Sequence, residues 1–107
     1  MSRPKRIWWG YAKAMIRQYP QMEKHIIDIY KLPKVKQKEF ESVTKAISLT
    51  KKRRNADNRL QVISLVLWQS GFTLAQAAAR LYISEATAYR YHRDFVMLVG
   101  ECYGLTD

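Results

Sequence analysis

Apolar residues along this chain recur at steps of three and four, the period of an α-helix, and not in the alternation typical of a β-strand. With 107 residues, the chain is long enough for one hydrophobic core and too short for two. Only four glycines and three prolines are present to interrupt helices. The sequence therefore predicts a small all-α domain of about five or six helices.

Breaks in the apolar stripes predict where the N-terminal helices begin and end. A first helix is expected over residues 7–19, where Pro20 breaks it or starts a second helix over 21–30. The basic stretch 34–38 is the best candidate for a linker or a mobile loop. A third helix follows, with a sparse apolar stripe made of Phe40, Val43, Ile47 and Thr50.

The segment that follows Asn55 has the composition of a buried helix. Asn55 itself belongs to the residue types whose side chains cap helix N-termini. The helix expected over residues 56–70 is apolar nearly all round, so we predict that it is the central buried element. Its apolar residues are Leu60, Val62, Ile63, Leu65, Val66, Leu67 and Trp68.

The charge of the chain points to a polyanionic partner, and nucleic acid is the leading candidate. The formal net charge is +10, which attracts polyanions strongly, although basic proteins also bind membranes or acidic partners. Residues 1–54 carry 15 basic and 4 acidic side chains, whereas residues 55–107 carry 4 basic and 5 acidic ones. The positive charge therefore comes from the first half of the chain.

Cysteine and histidine usage limits the kinds of site to expect. Cys102 is the only cysteine, so no internal disulfide and no cysteine cluster for zinc is possible. His25 and His92 lack metal-ligand spacing, and we expect His92 at the surface or beside a phosphate. No stretch reaches the roughly 20 apolar residues that span a bilayer. With no nucleophile and base, carboxylate pair or glycine-rich phosphate loop, we expect an intracellular, non-enzymatic protein without cofactor, metal or membrane partner.

The C-terminal third of the sequence predicts a helix-turn-helix. Residues 73–76 have the Thr-x-x-Gln form of a capping box. A short helix is expected through Leu81, and Ser84 is the N-cap of a longer helix from Glu85 to about Tyr103. Tyr82 stands in the connection, where many such turns have a glycine. The buried stripe of the longer helix is expected to be Ala88, Tyr91, Phe95, Leu98 and Cys102.

The other face of this longer helix is the candidate DNA-reading surface, because recognition helices contact base edges through their N-terminal turns. Arg90 would fork onto a guanine, and Glu85 would accept from a cytosine amino group. The residues assigned to base reading are Glu85, Ala86, Tyr89 and Arg90. Those assigned to the DNA backbone are Thr73, Ser84, Thr87, Arg93 and a basic run made of Lys51, Lys52, Arg53 and Arg54, with Arg3, Lys5 and Arg6 as a flexible arm.

These assignments have plain structural alternatives. A helix-turn-helix pattern is also found at packing corners of helical bundles. The basic run is also typical of a solvent-exposed helix end, where cations interact favourably with the helix dipole. Trp8 and Trp9 are expected mainly in the core, yet two adjacent residues cannot face the same side of a helix. One of them is therefore a candidate exposed anchor for a second copy of the chain or for a polymerase.

Several segments spread over most of the chain carry a resemblance to a known family. They are Trp8 and Trp9, residues 15–20 (Met-Ile-Arg-Gln-Tyr-Pro), residues 59–66 (Arg-Leu-Gln-Val-Ile-Ser-Leu-Val), and, at the end, Thr73, Leu74, Ala77, Ala78, Ser84, Thr87, Ala88, Arg90, His92, Arg93, Asp94 and Phe95. In this order they are similar to the RinA/ArpU-like phage transcriptional regulators, which activate late phage genes. The C-terminal half also resembles the promoter-reading region of sigma factors.

The resemblance implies a transcriptional activator that binds a specific operator in double-stranded DNA and acts with host RNA polymerase in the bacterial cytoplasm. On this view residues 51–107 form the helix-turn-helix region, and residues 1–50 form a basic helical segment for oligomerisation or partner contact. A homodimer is a candidate assembly. A DNA-packaging adaptor similar to a terminase small subunit is the alternative, and an interaction module with no DNA role is a third possibility.

Overall fold

The computed structural model describes residues 7–25, 29–69 and 71–105, and every regular element within these ranges is helical. The all-α class predicted from the apolar spacing is confirmed. In chain order the elements are α1 (Trp9–His25), a 3-10 turn (Ile29–Lys31), α2 (Lys34–Thr50), α3 (Ala56–Ile63) continued by a π-helical turn (Ser64–Trp68), α4 (Leu74–Leu81) and α5 (Glu85–Tyr103).

The last helix, α5, packs against all four other α-helices, and α3 with its π-helical turn does the same. One core results, to which both the basic first half and the neutral second half of the chain contribute. Its buried residues are Ala12, Met15, Ile16 and Tyr19 from α1, Val43 and Ala46 from α2, Ile63 and Leu67 from α3 and the π-helical turn, and Phe95, Val96, Leu98 and Val99 from α5.

A second, smaller apolar cluster seats α4 on α5. Val62 of α3 and Ala78 of α4 meet Ala88 and Tyr91 of α5 there, and all four are buried. Small alanine side chains allow the two helix backbones to come close together. Leu81 and Ile83, near the two ends of the α4–α5 connection, also pack against this cluster.

Pro20 lies inside α1, so the predicted break at this residue is wrong. Proline has no N–H, and in a helix the carbonyl four residues earlier, here that of Ile16, loses its partner. The indole Nε1–H of Trp68 donates to this Ile16 carbonyl oxygen over 2.8 Å. A distant side chain therefore replaces the hydrogen bond that Pro20 removes, and the local sequence does not reveal it.

Trp68 makes this contact from a π-helical turn. The N–H of Gln69 donates to the carbonyl of Ser64, five residues earlier, over 2.7 Å. The single helix predicted for residues 56–70 is thus an α-helix as far as Ile63 and a π-helix as far as Trp68. The Trp68 ring also packs edge-on to Phe95 of α5, so one side chain joins α1 to α5.

The basic stretch 34–38, predicted as a linker or loop, is the first part of α2. Pro33 precedes the helix with φ −53°, and the Gln37 side chain donates to the carbonyl of Leu32 over 2.7 Å, which fixes the chain at the helix start. Glu39, the next residue after this stretch, is buried and accepts hydrogen bonds from Tyr11 (2.5 Å) and Lys36 (3.2 Å). Local contacts of Gln37 and Lys36, together with the tertiary hydrogen bond from Tyr11, stabilise the stretch as a helix despite its charge.

Asn55 occupies the N-cap position of α3 but does not cap the helix through its side chain, so the predicted capping bond is wrong. Its backbone is in the left-handed region with φ 61°, which Asn tolerates better than most residues. The side-chain Nδ2 instead donates to the Tyr91 hydroxyl over 3.2 Å. Asn55 thereby holds the end of the basic run against α5.

Replacing Trp68 by Phe is expected to lower the free energy of unfolding by about 1–3 kcal/mol, because the buried Ile16 carbonyl loses its donor. The same substitution should cost less in a Pro20→Ala background, where residue 20 supplies a backbone N–H. Urea unfolding of the four proteins in this double-mutant cycle measures the difference, in which the loss of indole packing cancels. An equal cost in both backgrounds would show that Trp68 does not stand in for the missing N–H of Pro20.

Candidate nucleic-acid interface

The α4–α5 pair is joined by residues 82–84, and both helix starts are capped as the sequence predicted. Thr73 Oγ1 accepts from the Gln76 N–H over 3.1 Å, and Gln76 Oε1 accepts from the Thr73 N–H over 2.9 Å, which completes the capping box. Ser84 Oγ accepts from the Thr87 N–H over 3.0 Å at the start of α5. The caps fix where α5 begins, and so fix which of its residues lie in the first two turns.

Tyr82 forms the turn between the two helices in a conformation that favours glycine. Its φ is 58° and its backbone N–H donates to the end of α4, so it terminates that helix in the left-handed region. The side chain is 95% exposed and contributes nothing to the core. The turn therefore takes the geometry expected of a glycine, with the backbone strain of a bulky residue.

The predicted base-reading residues all lie on the exposed face of the first two turns of α5. Glu85, Ala86, Tyr89 and Arg90 are exposed, and so is Arg93 one turn further on. The opposite face is buried, as predicted for Ala88, Tyr91, Phe95 and Leu98, whereas Cys102 is only half-buried. The structure thus brings the candidate residues together on one strip of solvent-exposed helix.

Two arginines on this strip differ in how they are paired. Arg90 makes no hydrogen bond or ion pair with any residue that the structure describes. The guanidinium of Arg93 lies 3.4 Å from the carboxylate of Asp94, and the same carboxylate forms an ion pair with Arg59 of α3 over 3.3 Å. Arg90 is therefore the guanidinium on this face that is open to an external acceptor, while Arg93 shares a carboxylate with Arg59.

The basic run 51–54 lies beside the middle of α5, although about 40 residues separate the two in sequence. All four side chains of the run are exposed. Arg59 holds the run in place, since its Nε donates to the carbonyl of Arg54 over 3.0 Å and its guanidinium lies 4.6 Å from the centre of the Tyr91 ring. The sequence pattern assigned no role to Arg59, although an arginine in an otherwise apolar helix could have drawn attention to it.

The remaining backbone candidates are placed at the helix starts. Thr73 and Ser84 are exposed, and Thr87 is half-buried. The Ser84 hydroxyl donates to Thr87 Oγ1 over 2.8 Å, so the caps already use part of the hydrogen-bonding capacity of these hydroxyls. The flexible arm proposed for Arg3, Lys5 and Arg6 lies outside the described residues.

His92 is buried, so its predicted place at the surface or beside a phosphate is wrong. The helical period places it one turn after the buried Ala88 and one turn before the buried Val96, and it lies on the same inward face. Burial, together with the positive charges of Lys13 and Arg17 on α1, lowers the pKa of His92 to about 4. The imidazole is therefore neutral at physiological pH.

Neither Trp8 nor Trp9 is an exposed anchor, so that expectation is wrong. Both are half-buried and pack against the core, with ring centroids 5.9 Å apart. Trp8 lies directly against Gly100 of α5, so closely that a Cβ atom at residue 100 would overlap the indole ring. Gly100 is required for this packing because any side chain at that position would displace the indole.

None of the helices within the described ranges is long and apolar enough to cross a membrane. The same part of the chain contains no group of three or more His, Cys, Asp or Glu side chains arranged to hold a metal ion.

Comparison of the chain with protein-family models, curated proteins and solved structures finds no match to any of them.

The free energy of unfolding is expected to fall as the pH is lowered from 6.5, the usual pKa of histidine, towards 4. In this window the unfolded chain binds a proton at residue 92 that the folded chain excludes, so stability rises with pH by at most about 1.4 kcal/mol per pH unit. Above pH 6.5 the contribution is constant. Urea unfolding between pH 5 and 8 measures it. The slope should vanish in His92→Gln and persist in the control His25→Gln; a slope unchanged in His92→Gln would contradict the assignment.

Substituting Tyr82 by Asn is expected to raise the free energy of unfolding by about 0.5–1 kcal/mol, because Asn accepts a left-handed backbone more readily. The exposed Tyr82 side chain loses no packing in the exchange. Urea unfolding measures the gain, with Tyr89→Asn as the matched control, since Tyr89 is an exposed tyrosine in regular helix. A similar gain at both positions would mean that the strained turn is not its source.

Proposed function

We propose that this chain is a sequence-specific, double-stranded DNA-binding transcriptional regulator in which α4 and α5 act as a helix-turn-helix. One observation carries the proposal: Glu85, Ala86, Tyr89 and Arg90 project together from the start of a helix whose other face is buried in the core. A helix held in this way can enter a major groove without disturbing the fold. Such a helix is about 10–12 Å across, and the groove is about 12 Å wide.

Base discrimination in this proposal falls mainly to Arg90. Its guanidinium has no partner among the described residues, so no internal ion pair must be broken before it donates two hydrogen bonds to the O6 and N7 acceptors of a guanine. Glu85, in the first turn, accepts from a cytosine amino group, and Ala86 meets a thymine methyl. Tyr89 contacts bases or sugar from the next turn.

Phosphate binding in this proposal falls to groups around the recognition helix. The basic run 51–54 supplies four exposed cations beside α5, and Arg93 adds one on the helix itself. Thr73, Ser84 and Thr87 stand at helix N-termini, where backbone N–H groups and the helix dipole favour an anion. These contacts position the protein on the duplex and do not read sequence.

The resemblance to phage late-gene activators extends the proposal to the cellular setting. An operator upstream of late genes is then the target, host RNA polymerase is a partner, and the protein acts at the nucleoid in the bacterial cytoplasm. A homodimer would match a two-fold symmetric operator. The DNA-packaging alternative is distinguished by assembly, because a ring would scatter light as a large oligomer and a regulator would not.

Arg90→Ala is expected to weaken binding to a duplex selected from a random pool by about 1–3 kcal/mol, while binding to a scrambled duplex changes little.

Replacing Lys51, Lys52, Arg53 and Arg54 together by Ala should weaken binding to both duplexes alike. It should also reduce the slope of log K against log salt by about 0.9 for each phosphate that the run neutralises. Fluorescence anisotropy between 50 and 200 mM salt measures both effects. Equal losses of affinity for the two duplexes in Arg90→Ala would place Arg90 on the DNA backbone, and absence of any duplex binding by the natural protein would end the proposal.

A further inference from the structure

The exposed strip of α5 is bordered on its two long sides by different helices. On one side the buried His92 faces α1, whose Lys13 and Arg17 are close enough to act on its imidazole. On the other side Arg59 of α3 pairs with Asp94. At 100° per residue, His92 and Asp94 lie on opposite flanks of the strip that carries Arg90 and Arg93. Helix α1 and the start of α3 therefore lie on opposite sides of the candidate DNA-reading surface.

Helix α1 runs antiparallel to α5 along its side of the strip. The N-terminal end of α1 meets the C-terminal end of α5, where the Tyr11 hydroxyl donates to the Tyr103 hydroxyl over 3.1 Å. Further along α1, Ala12 and Ile16 are buried in the same cluster as Val96 and Val99 of α5. The charges of α1 act on His92, about two turns before Gly100, in agreement with this direction. Continuing along α1 thus leads towards the first turns of α5.

A cationic stripe follows α1 on the flank that borders the strip. Lys13, Arg17 and Lys24 are spaced at i, i+4 and i+11, which places them on one face of the helix. Arg17 and Lys24 are exposed, and Lys13 is half-buried. The nearest acidic side chain in sequence, Glu23, instead accepts a hydrogen bond from Tyr19 over 3.0 Å. Among the described residues, neither Arg17 nor Lys24 is paired with an acidic side chain, so both charges are open to an external anion.

We propose that α1 is a second phosphate-binding element, in which Arg17 and Lys24 bind the DNA strand on one side of the major groove. The basic run 51–54 binds the strand on the other side, and α5 lies in the groove between them. This inference rests on the proposed function, since it assigns the two backbones that border a helix in a groove. In this arrangement, cations of the basic N-terminal half of the chain bind phosphates next to α5, which belongs to the neutral C-terminal half.

The test compares two double variants that each remove two cations. Arg17→Ala with Lys24→Ala removes the α1 cations, and Lys38→Ala with Lys45→Ala is the matched control. The control lysines lie at the far end of α5, since Lys38 is 4.4 Å from the centre of the Tyr103 ring and Lys45 acts on Cys102. Residue 102 is about 18 Å along the helix from residue 90. The probe is a fluorescently labelled duplex of random sequence, about 30 bp long, titrated between about 50 and 200 mM salt.

The α1 variant is expected to reduce the slope of log K against log salt by about 1.8, and the control should leave it unchanged. If the variant and the natural protein bind equally at 1 M salt, a slope that is smaller by 0.9 corresponds to about eightfold weaker binding at 0.1 M for each phosphate that is no longer neutralised. Arg17→Lys with Lys24→Arg keeps both charges and should retain the slope. The single variants Arg17→Gln and Lys24→Gln should each give half of the change.

Three results would overturn the inference: an unchanged slope in the α1 variant, an equal reduction in the control, or a reduction that also appears in the charge-preserving variant. In each of these cases the natural protein still binds the duplex, so the proposed function stands. If the natural protein binds no duplex at the lowest salt concentration, the proposed function itself fails, and the role of α1 fails with it. Thermal unfolding of each variant separates weaker phosphate binding from a loss of folded structure.

Discussion

The structure depends on the asymmetric burial of α5. Every other α-helix within the described residues packs on it, and an almost continuous inward face from Ala88 to Gly100 is removed from water. Burial of large apolar side chains contributes about 1.5–3 kcal/mol each, so this face holds the helix in one orientation. The outward strip is consequently fixed as well, because a rotation that moved Arg90 would also expose Tyr91 or Phe95.

Local sequence was sufficient to predict the parts of the fold that are determined by short-range hydrogen bonds. The capping box at Thr73, the cap at Ser84 and the extent of α5 all follow from residues within three or four positions of each other. The exposed strip was predicted for the same reason, since a known helix start and a 3.6-residue period determine which side chains share a face.

The burial of His92 follows from the helical period of α5 and could have been predicted, whereas the other features that were missed depend largely on contacts between distant parts of the chain. Pro20 stays within a helix because Trp68, far along the sequence, supplies a donor to Ile16. Asn55 turns away from its own helix towards a tyrosine 36 residues on. The position of the basic run beside α5, and of α1 on the other flank, likewise depends on tertiary packing. No periodicity or capping rule carries such information, so sequence predicted the candidate residues but not how they are grouped.

The separation of charge between the two halves of the chain acquires a physical meaning if the reading surface is a DNA interface. Electrostatic attraction to phosphates is independent of sequence, and a recognition helix rich in cations would bind every duplex well. Here α5 is almost neutral, because Glu85, Asp94 and Glu101 offset Arg90 and Arg93, and the cations stand on the flanking elements. In such an arrangement the flanks set the overall affinity and its salt dependence, while the helix in the groove sets the difference between one sequence and another. Overall affinity and sequence preference can then change independently, because the residues that determine each of them lie on different helices packed around one core.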